Sequence, residues 1–240
     1  MYLLTAPPRT GKSTAIKKIV NMLGPNNCGG FYTEEIRKDG ERVGFKIVSL
    51  NGKEGILADV DLDSPYKISK YGVNLEVFED IGLKELYRAI DSKDINYLII
   101  DEIGPMQLFS DEYKELLLKL LTIDKIVIGT IFYANYDWLD DYKKNKQIKL
   151  IEIDEDNRNI IPLQIVEEVT KEDAIFQRKI QKAKNYILEP ERFKTLNNKT
   201  IISSEHGVRT VEHNDNRYKC DCEYYKEKGT CSHIISTIIR

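Results

Sequence analysis

Residues 5–14, Thr-Ala-Pro-Pro-Arg-Thr-Gly-Lys-Ser-Thr, limit what this chain can fold into more than any other stretch. The apolar run Met1 to Ala6 leads into them, and Ile16, Ile19, Val20 and Leu23 follow at helical spacing until Gly24-Pro25. A strand, a glycine-containing loop and a helix in that order converge backbone N–H groups and a helix N-terminus on one point. That arrangement is an anion cradle. Lys12 adds a mobile positive charge, the Ser13 hydroxyl is a ligand for Mg²⁺, and Gly11 stands where the backbone must approach phosphate closely. Ala6 replaces the usual first glycine, but it lies at the strand end, where one methyl is tolerated more easily than inside the wrap. Ala6, Pro7, Pro8, Arg9, Thr10, Gly11, Lys12, Ser13 and Thr14 therefore read as a phosphate-binding loop around a nucleotide.

Such a loop needs a second, acidic strand to hold the metal. Tyr97 to Ile100 is a continuous apolar run that ends in Asp101 and Glu102. In the functional reading Asp101 binds Mg²⁺ through water and Glu102 orients or deprotonates an attacking water. The alternative is an ordinary pair of strand-end carboxylates.

Further along, Gly30 to Ile36 and Arg42 to Leu50 flank the turn signal Lys38 to Glu41 and predict a hairpin. Leu83 to Ile90 and Asp111 to Leu121 read as helices, Lys125 to Thr130 and Ile148 to Ile153 as strands. Alternation of this kind predicts an α/β fold, a mostly parallel sheet with helices on both faces. After Pro162 the pattern changes to a helix with Phe176, Ile180, Ala183 and Ile187 on one face, then strand-like pieces at Thr200 to Ser204 and Gly207 to Glu212. Two domains are expected, residues 1–164 and 165–240. No apolar run approaches the roughly 20 residues of a bilayer span. The four apolar residues at the N-terminus are too few for a signal peptide, so a cytoplasmic protein is expected.

Two blocks carry a resemblance to a known family. Gly29 to Ala58 (GGFYTEEIRKDGERVGFKIVSLNGKEGILA) and Ile100 to Ser110 (IDEIGPMQLFS), with Asn157-Arg158 downstream, resemble the thermophile nucleoside-triphosphatase family of P-loop proteins over residues 1–163. The resemblance implies a RecA-like core and Mg²⁺-dependent hydrolysis of nucleoside triphosphates to diphosphate and phosphate, with broad base tolerance. It assigns phosphate binding, metal and water activation to Lys12, Ser13, Asp101 and Glu102. Arg37, Arg42 and Arg158 become candidates for phosphate contact or charge stabilisation, the alternative being surface ion pairs. Gln107 departs from the family in replacing an acid, and Thr130-Ile131-Phe132 lacks a histidine often found there. Arg9 occupies the place of the loop arginine of thymidylate kinases. It either stabilises transition-state charge in cis or points to solvent, and it keeps a nucleotide or small-molecule kinase open as an alternative.

The C-terminus carries a separate signal. Cys220-x-Cys222 and Cys231-x-His233 supply four ligands suited to a tetrahedral, structural Zn²⁺. The pattern resembles the SWIM zinc finger, CxC…CxH, over about residues 178–240. That resemblance implies binding of nucleic acid or protein. Arg178 to Lys199 holds seven basic and two acidic residues, which suits phosphate contact with Tyr186 and Phe193 stacking on bases, or else a solvated helix face. The tail would then recruit a partner to a triphosphatase, or the whole would be a nucleotide-dependent binding switch. So few apolar residues surround the cysteines that zinc is expected to supply most of the tail's folding free energy, with turnover by the first domain independent of it. His206 and His213 lack ligand spacing, and Cys28 reads as a buried small hydrophobe.

Overall fold

The N-terminal apolar run forms β1 (Tyr2–Thr5), with Leu3 and Leu4 fully buried, and the loop after it leads into α1 (Lys12–Leu23). β1 pairs in parallel with β8 (Ile126–Ile131) on one side and β9 (Lys149–Glu152) on the other. β7 (Tyr97–Ile103) joins β8, and β2 (Cys28–Lys38) joins β7, again in parallel. This is the expected parallel core, in the order β2-β7-β8-β1-β9.

On the free edge of β2 the sheet continues antiparallel through β3 (Glu41–Ser49), β4 (Glu54–Asp59), β6 (Tyr71–Val73) and β5 (Lys67–Ile68). The turn at Asp39-Gly40 matches the predicted hairpin. Patterning misses β4 to β6, because they are short and a register shift between Phe45 and Lys46 breaks the two-residue alternation beside β4.

One face of this sheet is covered by helices, two of them begun by side-chain caps. Asn74 Oδ1 accepts from Val77 N and opens α2 (Leu75–Val77), which runs through a π-helical turn (Phe78–Leu83) into α3 (Lys84–Asp91). Ser110 Oγ does the same for α4 (Asp111–Leu120), and α5 (Asp137–Lys143) follows β8. Leu86, Tyr113, Leu117 and Leu139 from these helices pack with Phe31, Ile47, Leu98, Ile100 and Val127 of the sheet in one apolar cluster. No described helix is long and apolar enough to cross a membrane.

The computed structural model describes residues 1–214 and 217–240, and in it the chain divides into two units. The first comprises Met1–Ser13 with Asn27–Ile153; the second comprises Thr14–Asn26 with Asp154–Arg240. The second unit thus takes nearly all of α1, whereas the sequence alone places a boundary after residue 164. The reason is local to α1: Thr230 Oγ1 donates to Met22 O (2.7 Å), and Tyr218 N donates to Asn21 Oδ1 (3.2 Å).

The second unit also contains α6 (Ile161–Val169), α7 (Ala174–Ile187), and an antiparallel sheet β10 (Phe193–Leu196), β11 (Lys199–Ser204), β12 (Gly207–Asn214), β13 (Arg217–Cys220). Two short helices close it, α8 (Glu223–Lys228) and α9 (Ser232–Ile239). α9 packs against α7, β12 and β13. Ile202, Val211, Ile234 and Ile235 are fully buried, so the cysteine cluster has more apolar support than the sequence pattern suggests. Each short strand gives only one buried apolar residue, a signal too sparse to read as a core.

Candidate functional site

In the loop, Lys12 Nζ donates to Ala6 O (2.8 Å) and Pro7 O (3.3 Å), and Thr10 Oγ1 donates to Pro7 O (2.9 Å). The lysine is thereby held over the loop by weak neutral acceptors that an anion would outcompete. Ala6 is fully buried at the end of β1, while Pro7, Pro8, Arg9, Ser13 and Thr14 are exposed. Arg9 (φ 67°) and Gly11 (φ 109°) both lie in the left-handed region. Such residues turn successive N–H groups toward one side, which makes the anion-binding concavity of a phosphate loop. Glycine adopts that conformation without penalty, whereas Arg9 costs roughly 1–2 kcal/mol there.

The acidic strand brings its groups to the carboxyl end of the parallel core. Ile100 pairs with Gly129, so the next residues, Asp101 and Thr130, stand side by side on the opposite face. Thr130 Oγ1 donates to Asp101 Oδ1 at 2.6 Å, and both residues are buried. Glu102 follows. Burial pushes its carboxyl up to about 7, the charge of Asp101 adds to the rise, and the charge of Lys12 opposes it. Lys12, Asp101 and Glu102 therefore form one electrostatic group, with Glu102 poised to exchange a proton near neutrality.

Gly104 keeps the space beside that carboxylate open. A Cβ there would lie 3.2 Å from Glu102 Oε2 and 3.3 Å from Gln107 Oε1. Gln107 is buried, its Nε2 donates to Thr33 Oγ1 (3.4 Å), and its Oε1 has no hydrogen-bond partner among the described residues. A neutral amide at this point spares Glu102 a further negative neighbour. Thr130 and Gln107 are the residues sequence reasoning did not assign to the site. The available signal is position: Thr130 stands at the carboxyl end of β8 and Gln107 just past that of the adjacent β7, where α/β sheets bind ligands.

The arginines part company. Arg37 Nε and Arg42 Nη1 donate to Glu35 (2.9 and 2.8 Å), and Arg42 Nε donates to Tyr71 OH (3.1 Å). Both lie in the β2–β3 hairpin as surface ion pairs, the alternative reading of these two residues. Arg158 ends the turn begun at Asp154, its N–H donating to Asp154 O (3.1 Å). Burial, then the charge of Arg158, lowers the pKa of Lys18 on α1. Lys18 Nζ donates to Asn159 Oδ1 (3.0 Å), next to Arg158 in the chain.

In the tail, Cys220 ends β13, Cys222 and Cys231 precede the first residues of α8 and α9, and His233 lies in the first turn of α9. Their ligand atoms all lie within 4.8 Å of one another, and all four residues are buried. His233 Nδ1 is 3.6 Å from Cys220 Sγ and 3.7 Å from Cys231 Sγ. Zinc bonds of about 2.3 Å to sulfur and 2.0 Å to nitrogen, at tetrahedral angles, span an edge of about 3.6 Å. The donor set and spacing fit that ion. Tyr186 stacks on the His233 ring (5.9 Å, 17°) and fixes its plane.

The basic stretch before the cluster is less available than its composition suggests. Lys182 pairs with Glu205, Lys184 with Glu167, Arg192 with Glu189 and Lys199 with Glu212. Tyr186 and Phe193 are buried and cannot stack on bases, which corrects that expectation. The helical period puts Tyr186 on the core face of α7. Cys28 is buried and burial raises its thiol pKa, as suits a small hydrophobe. His206 is exposed, and His213 rests on the Tyr218 ring.

Residues 1–166 match the NTPase family. The nucleoside-triphosphatase THEP1 of Thermotoga sp. (strain RQ2) is 46% identical over 157 residues, which are 65% of this chain and 88% of that protein. The cancer-related nucleoside-triphosphatase homolog of Mus musculus is 35% identical over 176 residues, 68% of this chain and 93% of that protein. Among solved structures, the crystal structure of THEP1 from Aquifex aeolicus superposes with a TM-score of 0.62 at 32% identity. It covers 69% of this chain and 96% of its own.

Proposed function

The chain belongs to the NTPase family and is a nucleoside-triphosphatase, and from that premise we propose how it works: Mg²⁺-dependent cleavage of nucleoside triphosphate to diphosphate and phosphate at the loop and the β7 carboxylates. The observation that carries this reading is Glu102, held near neutrality beside Lys12 and Asp101. The loop N–H groups and Lys12 hold the phosphates. Ser13 and Asp101 offer the hard oxygen ligands that Mg²⁺ prefers, and Thr130 keeps one Asp101 oxygen oriented. Mg²⁺, when bound, supplies charge neutralisation on the phosphate oxygens.

Ionised Glu102 takes one proton from the attacking water. The water oxygen bonds to the γ-phosphorus while the bond to the bridging oxygen breaks, and the diphosphate leaves with that electron pair. The test is phosphate release from ATP, GTP, CTP and UTP with Mg²⁺ and with a chelator. Release from all four, lost with chelator, is the expected result. Phosphoryl transfer to a nucleotide or small-molecule acceptor, with no free phosphate, would turn the reading to a kinase.

Arg9 is read as a charge stabiliser in cis. A glycine would relax the left-handed backbone there, so an arginine held at φ 67° stores strain where phosphate binds. Arg9→Gly is expected to lower kcat about tenfold with KM within about threefold, while raising the melting temperature. A kcat within about twofold of the parent would leave Arg9 a solvent-facing side chain.

The tail is read as a SWIM-type module in which Cys220, Cys222, Cys231 and His233 hold a structural Zn²⁺. The 3.6–3.7 Å sulfur–nitrogen distances support this.

A further inference from the structure

Two of the four proposed zinc ligands lie within two residues of those that grip α1. Cys231 follows Thr230, whose Oγ1 donates to Met22 O (2.7 Å) with both residues buried. Cys220 lies two residues after Tyr218, whose N–H donates to Asn21 Oδ1 (3.2 Å). Asn21 is buried, and its own Nδ2 donates to Lys17 O (2.7 Å), which fixes the amide for that contact. Tyr225 OH donates to Tyr218 O (3.1 Å) and ties α8 to the same strand. Gly229 lies against Asn26, since a Cβ there would be 3.4 Å from its amide. The last turn of α1 is therefore held from two sides by segments that meet at the cysteine cluster.

We propose that the metal cluster of the tail positions the phosphate-binding helix, with Thr230 and Asn21 as positioning residues for the triphosphatase reaction. The proposal rests on the zinc reading above. Met22 O belongs to the last carbonyls of α1, which have no partner within the helix, so the Thr230 hydroxyl satisfies an acceptor that the helix cannot. From Met22 back to Lys12 is about 15 Å of regular helix, which moves as one body. Metal at Cys220 and Cys231 joins β13 to the start of α9 and holds both grips in register. Without it, three buried thiols and an imidazole are left facing one another, and both grips loosen. Lys12 and Ser13 then sample more orientations, and nucleotide binding weakens before the chemical step does.

The test uses the full chain, zinc-loaded and chelator-stripped, and a Thr230→Val variant that removes only the hydroxyl donor. Amide hydrogen exchange over residues 14–26 and equilibrium affinity for ADP are the readouts. Stripping is expected to speed exchange in 14–26 and weaken ADP binding about five- to tenfold. Thr230→Val should keep about one zinc per chain and a protease-resistant tail, yet weaken ADP binding about fivefold, the equivalent of one buried hydrogen bond. Unchanged exchange in 14–26 and unchanged affinity, in the stripped chain and the variant, would overturn the proposal. Should the chain take up no zinc, the zinc reading fails and so does the metal's part in the proposal; the grip itself is then decided by Thr230→Val alone.

Discussion

Glu102→Gln is expected to lower kcat by about 100-fold or more while leaving nucleotide affinity within about twofold. The amide keeps the size of the side chain but cannot accept the proton of the attacking water. The parent enzyme should show kcat/KM rising about tenfold per pH unit below neutrality and levelling above an apparent pKa of about 7, because the base must be ionised. The variant should lose that limb. The same group links pH to stability. Folded Glu102 holds its proton up to about pH 7, whereas an ordinary glutamate releases it near 4.5. Its contribution is therefore fully present below pH 4.5 and is lost as pH rises toward 7. Glu102→Gln escapes this loss. It should be more stable than the parent at pH 8 by an amount on the order of 2 kcal/mol, and no more stable near pH 4.5. Thermal unfolding in Mg²⁺-free buffer at both values checks the sign. A kcat close to that of the parent would remove Glu102 as the base.

Cys222→Ser is expected to lose about one zinc per chain and to open the cluster to protease. Structural zinc contributes apparent binding energies of about 10–16 kcal/mol in small modules, so the loss of one thiolate is large beside a domain's net stability. The apolar core of the tail moderates the consequence. Ile202 of β11 and Ile180 of α7 are buried on elements that carry none of the four ligands. Cleavage should therefore concentrate between about residues 213 and 233, with a fall of about 10 °C or more in the tail's unfolding transition. Metal analysis and limited proteolysis settle it. Full zinc content, or unchanged resistance, would mean that Cys222 is not a ligand. ADP affinity should fall as it does on stripping, because the tail shares a unit with α1.

Which features were legible in the sequence follows from their range along the chain. The apolar run, the loop and the periodic helix of residues 1–23 are contiguous, and each is set by neighbours within a few positions. The apolar strand ending in Asp101-Glu102 is equally local, as is the spacing of Cys220, Cys222, Cys231 and His233. The amphipathic period of α7 was enough to place Phe176, Ile180 and Ala183 on one buried face, but it named Ile187 where Tyr186 is the fourth buried residue.

Contacts between distant segments decided the rest. Thr130 reaches Asp101 because two parallel strands pair in one register, and no pattern within either strand states that register. Glu102 titrates near neutrality because the folded chain removes it from water, and a sequence window contains no solvent. Arg37 and Arg42 share Glu35, which offsets one of their two charges, a pairing that composition alone does not state. Thr230 and Met22 are 208 residues apart, yet their hydrogen bond helps place the phosphate-binding helix in one unit with the tail. Local chemistry is written in short periods and spacings. Which local pieces share a core is a property of the burial they achieve together, and only the folded chain determines it.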